Sequence, residues 1–267
     1  MMDSLIQSLP EEIRNHIYGR EYTIDDIGKS GAKILIFDDF VLKITDKSSD
    51  DSNAVEMMRW LEGKLPAPKV ISYVENDHYR YLLMTRIKGK MSCDKYYMEH
   101  PNELIPILGK AIKMLWRTDI RDCPVTKDLD SELPKAEYRV ENGLVDISDA
   151  EPDTFGENGR FKNPRELLTW LQNNRPSYEP VLSHGDLCLP NILIDNGDIS
   201  GFIDMGNCGI ADKWEDIAMC YRSLKHNCDG TYGKVYSGIT PDLLFIELGI
   251  EPDMKKIDYY ILLDELF

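Results

Sequence analysis

The 267-residue sequence has no apolar run approaching the roughly 20 residues that span a bilayer. Its first residues, Met1 to Ile6, lack both a basic segment and a long apolar core, so they do not read as a secretory signal. These absences predict a soluble, cytoplasmic protein. The six cysteines, Cys93, Cys123, Cys188, Cys208, Cys220 and Cys228, include no C-x-x-C pair. In a chain this long they read as reduced thiols rather than a disulfide framework. His226 and Cys228, with Cys220 nearby, lack the fourth ligand and the spacing of a zinc site. Basic residues are scarce: 31 Lys and Arg against 47 Asp and Glu leave a formal net charge of −16. That charge repels phosphate backbones and anionic lipid surfaces, which excludes nucleic acid and membrane as expected partners. It suits solubility, and it also suits electrostatic collection of a polycationic substrate. No internal repeat or low-complexity stretch interrupts the chain.

The length fits two lobes sharing a cleft. Residues 3–20 carry Leu5, Ile6, Leu9, Ile13 and Ile17 among polar positions, with Pro10 where a short helix would start. Residues 22–24, 34–37 and 40–44 then read as three strands of a meander. The glycines of Gly28-Lys29-Ser30-Gly31-Ala32 let backbone N–H groups approach an anion. A helix is expected over residues 53–63, with Val55, Met58 and Leu61 or Trp60 facing inward and Gly63 at its C-terminal end. Residues 70–74 and 79–84 form a second hairpin, which completes a five-stranded sheet with one helix. Strand patterning stops past Arg86, and helical periodicity runs from about Asn102 to Trp116, so the lobe boundary falls at 85–90. Residues 122–160 are acidic, turn-rich and poorly periodic, as a surface insertion or a substrate loop would be. Residues 164–171 are helical again, with Asn163 as N-cap.

The chemistry concentrates in His184-Gly185-Asp186-Leu187-Cys188-Leu189-Pro190-Asn191, the apolar run Ile192-Leu193-Ile194, a turn at Asp195-Asn196-Gly197-Asp198, and a strand leading to Asp204. Phosphoryl transfer needs a carboxylate beside the attacking hydroxyl and oxygen ligands that hold magnesium on the phosphates. Asp186, Asn191 and Asp204 supply that set, at separations a loop and one hairpin can fold into a cluster. A kinase of this kind also needs a strand lysine in the small lobe and a glutamate on the next helix, and Lys43 and Glu56 fit. Each alone has a plainer explanation, as a lysine blunting a strand edge or a solvent-facing glutamate. The five together, in the right order and on the right elements, are far more specific.

His184-Gly185-Asp186, Asn191 and Asp204 resemble the signature of the aminoglycoside phosphotransferase family, relatives of the protein kinases. The segments Trp60-Leu61-Glu62-Gly63-Lys64-Leu65-Pro66-Ala67-Pro68, Phe202-Ile203-Asp204-Met205-Gly206, Ala211-Asp212-Lys213-Trp214 and Asp264-Glu265-Leu266-Phe267 are similar to the 3′-phosphotransferases of its type III branch. The resemblance implies an α+β bilobal protein-kinase-like fold. A small five-stranded antiparallel nucleotide-binding lobe (1–87, hinge at about 84–90) would join a larger, mostly helical catalytic and substrate-binding lobe (88–267).

By the same resemblance ATP lies in the cleft with adenine at Met84, Thr85 and Ile87. Lys43, oriented by Glu56, and Ser30 contact phosphates, while Asn191 and Asp204 hold two Mg2+ ions. Asp186 accepts the proton of the sugar hydroxyl, and His184 braces the loop. The acceptor is expected to be an aminoglycoside, held by Asp153, Phe155, Glu157, Arg222, His226, Asp264, Glu265 and the terminal carboxylate of Phe267. Gly156, Asn207 and His226 depart from the family pattern, which leaves another small cationic or amino-sugar acceptor as the alternative. A catalytically inert binding module is a third reading. Val41 replaces an expected aromatic on adenine and leaves the choice of ATP or GTP open. Nothing in the pattern separates a monomer from a homodimer.

Overall fold

The computed structural model describes residues 4–25, 32–47 and 53–267. Ser30, with Gly28, Lys29 and Gly31, lies outside the described residues. The elements run α1 (Ser4–Ser8), α2 (Glu11–Ile17), β1 (Thr23–Asp25), β2 (Lys33–Ile36), β3 (Phe40–Asp46), α3 (Ala54–Leu61), β4 (Val70–Glu75) and β5 (Tyr79–Thr85). They continue with β6 (Lys90–Met91), α4 (Lys95–Glu99), α5 (Pro101–Arg117), α6 (Leu129–Glu141), α7 (Pro164–Asn173), β7 (Pro180–Ser183), β8 (Ile192–Asp195) and β9 (Asp198–Phe202). The chain closes with β10 (Gly209–Asp212), α8 (Lys213–Cys228), α9 (Leu243–Leu248) and α10 (Met254–Asp264). Among the described residues no helix is long and apolar enough to cross a membrane.

The first five strands form one antiparallel sheet in the order β1-β2-β3-β5-β4. Strand periodicity decides what this sheet offers to each side. In β3, Phe40, Leu42 and Ile44 are buried with Leu35, Leu83 and the α2 residues Ile13 and Ile17 in a small apolar cluster. The alternate residues Lys43 and Thr45 consequently face a cleft on the other side. A second, larger cluster fills the rest of the molecule, with residues of α3, α5, α7, α8 and α10 at its centre. Burial thus divides the core in two, with β3 and its neighbours over one part.

Two local expectations are corrected. Helix α3 buries Ala54, Met57, Met58 and Leu61, whereas Val55 and Trp60 are only half-buried. Its inward stripe follows the 3.6 period through 54, 57, 58 and 61, one step away from Val55. The stretch 122–160 is not wholly irregular, because α6 occupies part of it, capped by Asp128, whose carboxylate accepts from Ser131 N at 2.9 Å. Pro134 inside that helix and a thin apolar stripe, Leu133 and Ala136, conceal it in the sequence.

Three close backbone contacts set up the site. Phe202 N donates to Pro66 O at 2.8 Å, and a Cβ on Gly201 would meet that same oxygen at 2.6 Å. The β8–β9 hairpin is therefore pressed onto the segment that leads into β4. Strands β7 and β10 pair with Ser183 opposite Gly209, which aligns the loop after β7, His184 to Asp186, with the turn Met205–Asn207 before β10.

Candidate active site

Strand β7 ends at Ser183 and delivers the chain into the His184-Gly185-Asp186 loop, anchored by the buried Leu187 and Leu189. A short 3-10 turn over Leu189–Asn191 follows. It turns Asn191 back so that Nδ2 donates to Asp186 O at 2.9 Å and to Asp186 Oδ2 at 3.0 Å. The β8–β9 hairpin then returns the chain to Asp204, with Ile203 N donating to Asn191 O at 3.0 Å. Asp204 has φ +57°, a left-handed conformation that a non-glycine residue adopts at a cost and that is frequent at functional sites. Lys43 Nζ donates to Asp204 Oδ1 at 3.2 Å, which links β3 to this loop. Gly185 has φ +78°, and a Cβ there would meet Asn207 O at 2.1 Å. Only glycine lets the loop bearing Asp186 and the loop after Asp204 lie against each other.

The sequence reading missed the residue that holds this loop. Asp212 caps α8 by accepting from Trp214 N at 3.0 Å, and one turn on Asp216 is completely buried. Its carboxylate accepts from Ser183 Oγ at 2.9 Å, His184 N at 2.9 Å and Gly185 N at 3.2 Å. Burial pushes the Asp216 carboxyl up, opposed by His184 and by these donors. His184 Nε2 donates to Ile203 O at 2.9 Å, so the histidine ties the Asp186 loop to the strand that ends at Asp204. The available signal is a second aspartate four residues past a capping aspartate, beside the apolar Ile217.

A cleft of about 410 Å3 runs from Lys43, Thr45 and Asn53 past Asp186 and Asp204 to Asp264 and Phe267. Glu56 lies exposed in the first turn of α3, a helix that packs against the 3-10 turn Met205–Asn207 just after Asp204. Of the proposed hinge residues, Met84 sits opposite Val41 and Val70. Thr85 N donates to Lys69 O at 2.9 Å, and Thr85 Oγ1 accepts from Lys69 N at 2.9 Å. Ile87 packs over Gly201. None of the three lines the 410 Å3 cleft.

Five of the eight expected acceptor residues line two cavities, and Phe155, Glu157 and Glu265 line neither. Asp264 and Phe267 line the cleft beside Asp186, whereas Asp153, Arg222 and His226 line a second cavity of about 260 Å3. An ion pair joins them: Arg222 Nη2 is 2.5 Å from Asp264 Oδ2, and Arg222 Nη1 is 3.9 Å from Glu265 Oε1. Glu265 accepts from Glu151 N at 3.2 Å, and Glu151 Oε1 lies 3.1 Å from His226 Nε2. Phe155 packs against the large core, and Glu157 is exposed and lines neither cavity. Arg139, which the sequence reading also missed, fixes the last residues: Nε donates to Leu266 O at 2.8 Å and Nη2 to Phe267 O at 2.5 Å.

Burial is the main cause that pushes the Glu265 carboxyl up to about 7. The folded protein therefore keeps a proton there that the unfolded chain releases near 4.5. Its contribution to stability is fully present below pH 4.5 and is lost as the pH rises to 7. In thermal melts across this range, Glu265→Gln is expected to flatten the decline by roughly 1–3 kcal/mol. An unchanged pH profile in the variant contradicts the assignment.

Residues 28–243 match a family model described as a phosphotransferase enzyme family. Over 253 residues the chain is 40% identical to an aminoglycoside 3′-phosphotransferase of Enterococcus faecalis, covering 91% of this chain and 92% of that one. A Staphylococcus aureus protein of the same name is 40% identical over 252 residues, with the same coverage of 91% and 92%. The crystal structure of an aminoglycoside-3′-phosphotransferase of type VIII superposes with a TM-score of 0.80 at 25% identity, covering 96% of this chain and 97% of that one. The chain belongs to the phosphotransferase enzyme family, as an α+β kinase-like enzyme that phosphorylates a hydroxyl group. Its relatives over nearly the full length are aminoglycoside 3′-phosphotransferases.

Proposed function

We propose that the protein transfers the γ-phosphate of ATP to the 3′-hydroxyl of an aminoglycoside and so inactivates the antibiotic in the cytoplasm. The observation that carries this reading is one cleft with Lys43 and Asp204 in contact at one end, Asp186 in the middle, and Asp264 with Phe267 at the other. Residues 1–87 form the nucleotide lobe and 88–267 the catalytic lobe, joined at 84–90, where Met84, Thr85 and Ile87 hold adenine. Solved structures of the same fold include one described as in complex with ADP and streptomycin, which supports a nucleotide and an aminoglycoside sharing such a cleft.

Lys43 exchanges its contact with Asp204 for the phosphates, with Glu56 positioning it. The donors fit magnesium: the Asp204 carboxylate and the Asn191 amide oxygen are hard oxygen ligands, and Asn191 spends its Nδ2 on Asp186. Bound there, magnesium neutralises charge on the transferring phosphates. Asp186, held by Asn191, orients the acceptor hydroxyl and takes its proton. Ammonium groups of the acceptor meet Asp264, which Arg222 and, behind it, Glu265 hold in place, with Asp153 and His226 around the neighbouring cavity.

A second reading keeps the chemistry and changes the acceptor to another amino sugar or small cation. It is favoured by His226, whose imidazole already engages Glu151. A panel of aminoglycosides and other amino sugars, with ADP release coupled to absorbance, separates the two. Turnover of aminoglycosides bearing a 3′-hydroxyl is expected. Turnover confined to other acceptors replaces the first reading with the second.

A further inference from the structure

Beyond Asp186 the cleft carries a lysine–glutamate pair that phosphoryl transfer leaves unused, in which burial pushes the Glu215 carboxyl up to about 8 and Lys127 opposes that shift. Lys127 and Glu215 both line it, their side chains are 13% and 14% exposed, and Nζ lies 3.8 Å from Oε1. The lysine is held in place: its N–H donates to Ile210 O at 2.8 Å, and its stem lies over Gly209, where an added Cβ would meet Cγ at 3.1 Å. Its ammonium also lies in the field of Glu132 and Asp264, which line the same cleft. On the same wall Tyr260 is 3% exposed; its hydroxyl completes no hydrogen bond of good geometry among the described residues and lies beside the Asp212 carboxylate.

We propose that Lys127 is a resident counter-cation filling the place an acceptor ammonium would otherwise take, so that the enzyme selects acceptors presenting a hydroxyl to the Glu215–Tyr260 wall. This rests on the acceptor reading given above. An amino group brought here meets a like charge already fixed in place, whereas a hydroxyl can accept from Lys127 or Tyr260 and donate to Glu215.

Lys127→Met keeps the stem over Gly209 and removes the charge. Across matched aminoglycosides that differ by one amino-for-hydroxyl replacement, it is expected to shift the kcat/KM ratio about tenfold toward the amino member of at least one pair. Lys127→Arg should leave the ratios as in the wild type, and Lys127→Met combined with Glu215→Gln should lose the gain. Unchanged ratios in every pair overturn the proposal. A titration of 2-deoxystreptamine, a cyclic diamine, followed by NMR decides the charge claim without turnover. Lys127→Met should bind it about fivefold or more tighter than the wild type, and equal affinity overturns the proposal. Absence of any aminoglycoside turnover in the wild type would instead defeat the acceptor reading, and the diamine titration would still decide the role of Lys127. Thermal melts confirm that each variant is folded.

Discussion

Asp186→Asn is expected to lower kcat about 10³-fold, the scale of a lost general base in a positioned site. The KM for ATP should stay within about twofold, because only the acceptor side of the transition state loses its proton acceptor. Asparagine keeps the shape of the side chain and its place beside Asn191, whose Nδ2 holds Asp186 at 2.9 and 3.0 Å. What the variant removes is the negative charge and the capacity to take a proton. The complementary variant, Asp204→Ala, should weaken magnesium-dependent nucleotide binding, since Asp204 is the carboxylate in contact with Lys43. Steady-state kinetics with nucleotide titrations at several magnesium concentrations separate the two. Wild-type turnover in Asp186→Asn, or unchanged magnesium dependence in Asp204→Ala, contradicts the respective role.

Asp216→Ala should be the most damaging change outside the cleft. It removes the acceptor for Ser183 Oγ, His184 N and Gly185 N at once, all in a buried setting. Leaving buried donors without a partner costs about 1–3 kcal/mol each, partly relieved by relaxation, so a loss of roughly 3 kcal/mol or more is expected. For a chain of this size that lowers Tm by roughly 6–12 °C. Because the donors belong to the loop that carries Asp186, kcat should also fall at temperatures where the variant remains folded. Asp216→Asn, which keeps an acceptor oxygen, should recover part of both. A stable Asp216→Ala variant with full kcat would show that the loop needs no such anchor.

The small sheet was legible because its strands are short apolar and aromatic runs bounded by turn residues, and in β3 the alternation places Lys43 on the cleft side opposite Leu42 and Ile44. The meeting of Asp186, Asn191 and Asp204 was legible because one hairpin joins them. Helix α6 was not, since Pro134 interrupts its pattern and its buried stripe is thin. Asp216 and Arg139 were illegible for a different reason. Each acts on groups distant along the chain, with Asp216 reaching Ser183 and Arg139 reaching Phe267. The local signal, a second aspartate four residues past the capping Asp212, marks Asp216 as unusual but does not say that it supports a loop some thirty residues earlier. The acceptor residues show the same limit. Asp264 and His226 are both plausible pocket residues by type, yet one lines the cleft of Asp186 and the other a neighbouring cavity.

The central claim is transfer of phosphate to the 3′-hydroxyl, and the product itself tests it most directly. The enzyme is incubated with ATP, magnesium and an aminoglycoside bearing a 3′-hydroxyl, and in parallel with a matched compound lacking it, and the products are assigned by two-dimensional 31P–1H NMR. The account predicts a single phosphomonoester coupled to the 3′ proton and no product from the 3′-deoxy compound. Phosphorylation at another position, or equal turnover of the 3′-deoxy compound, would contradict it.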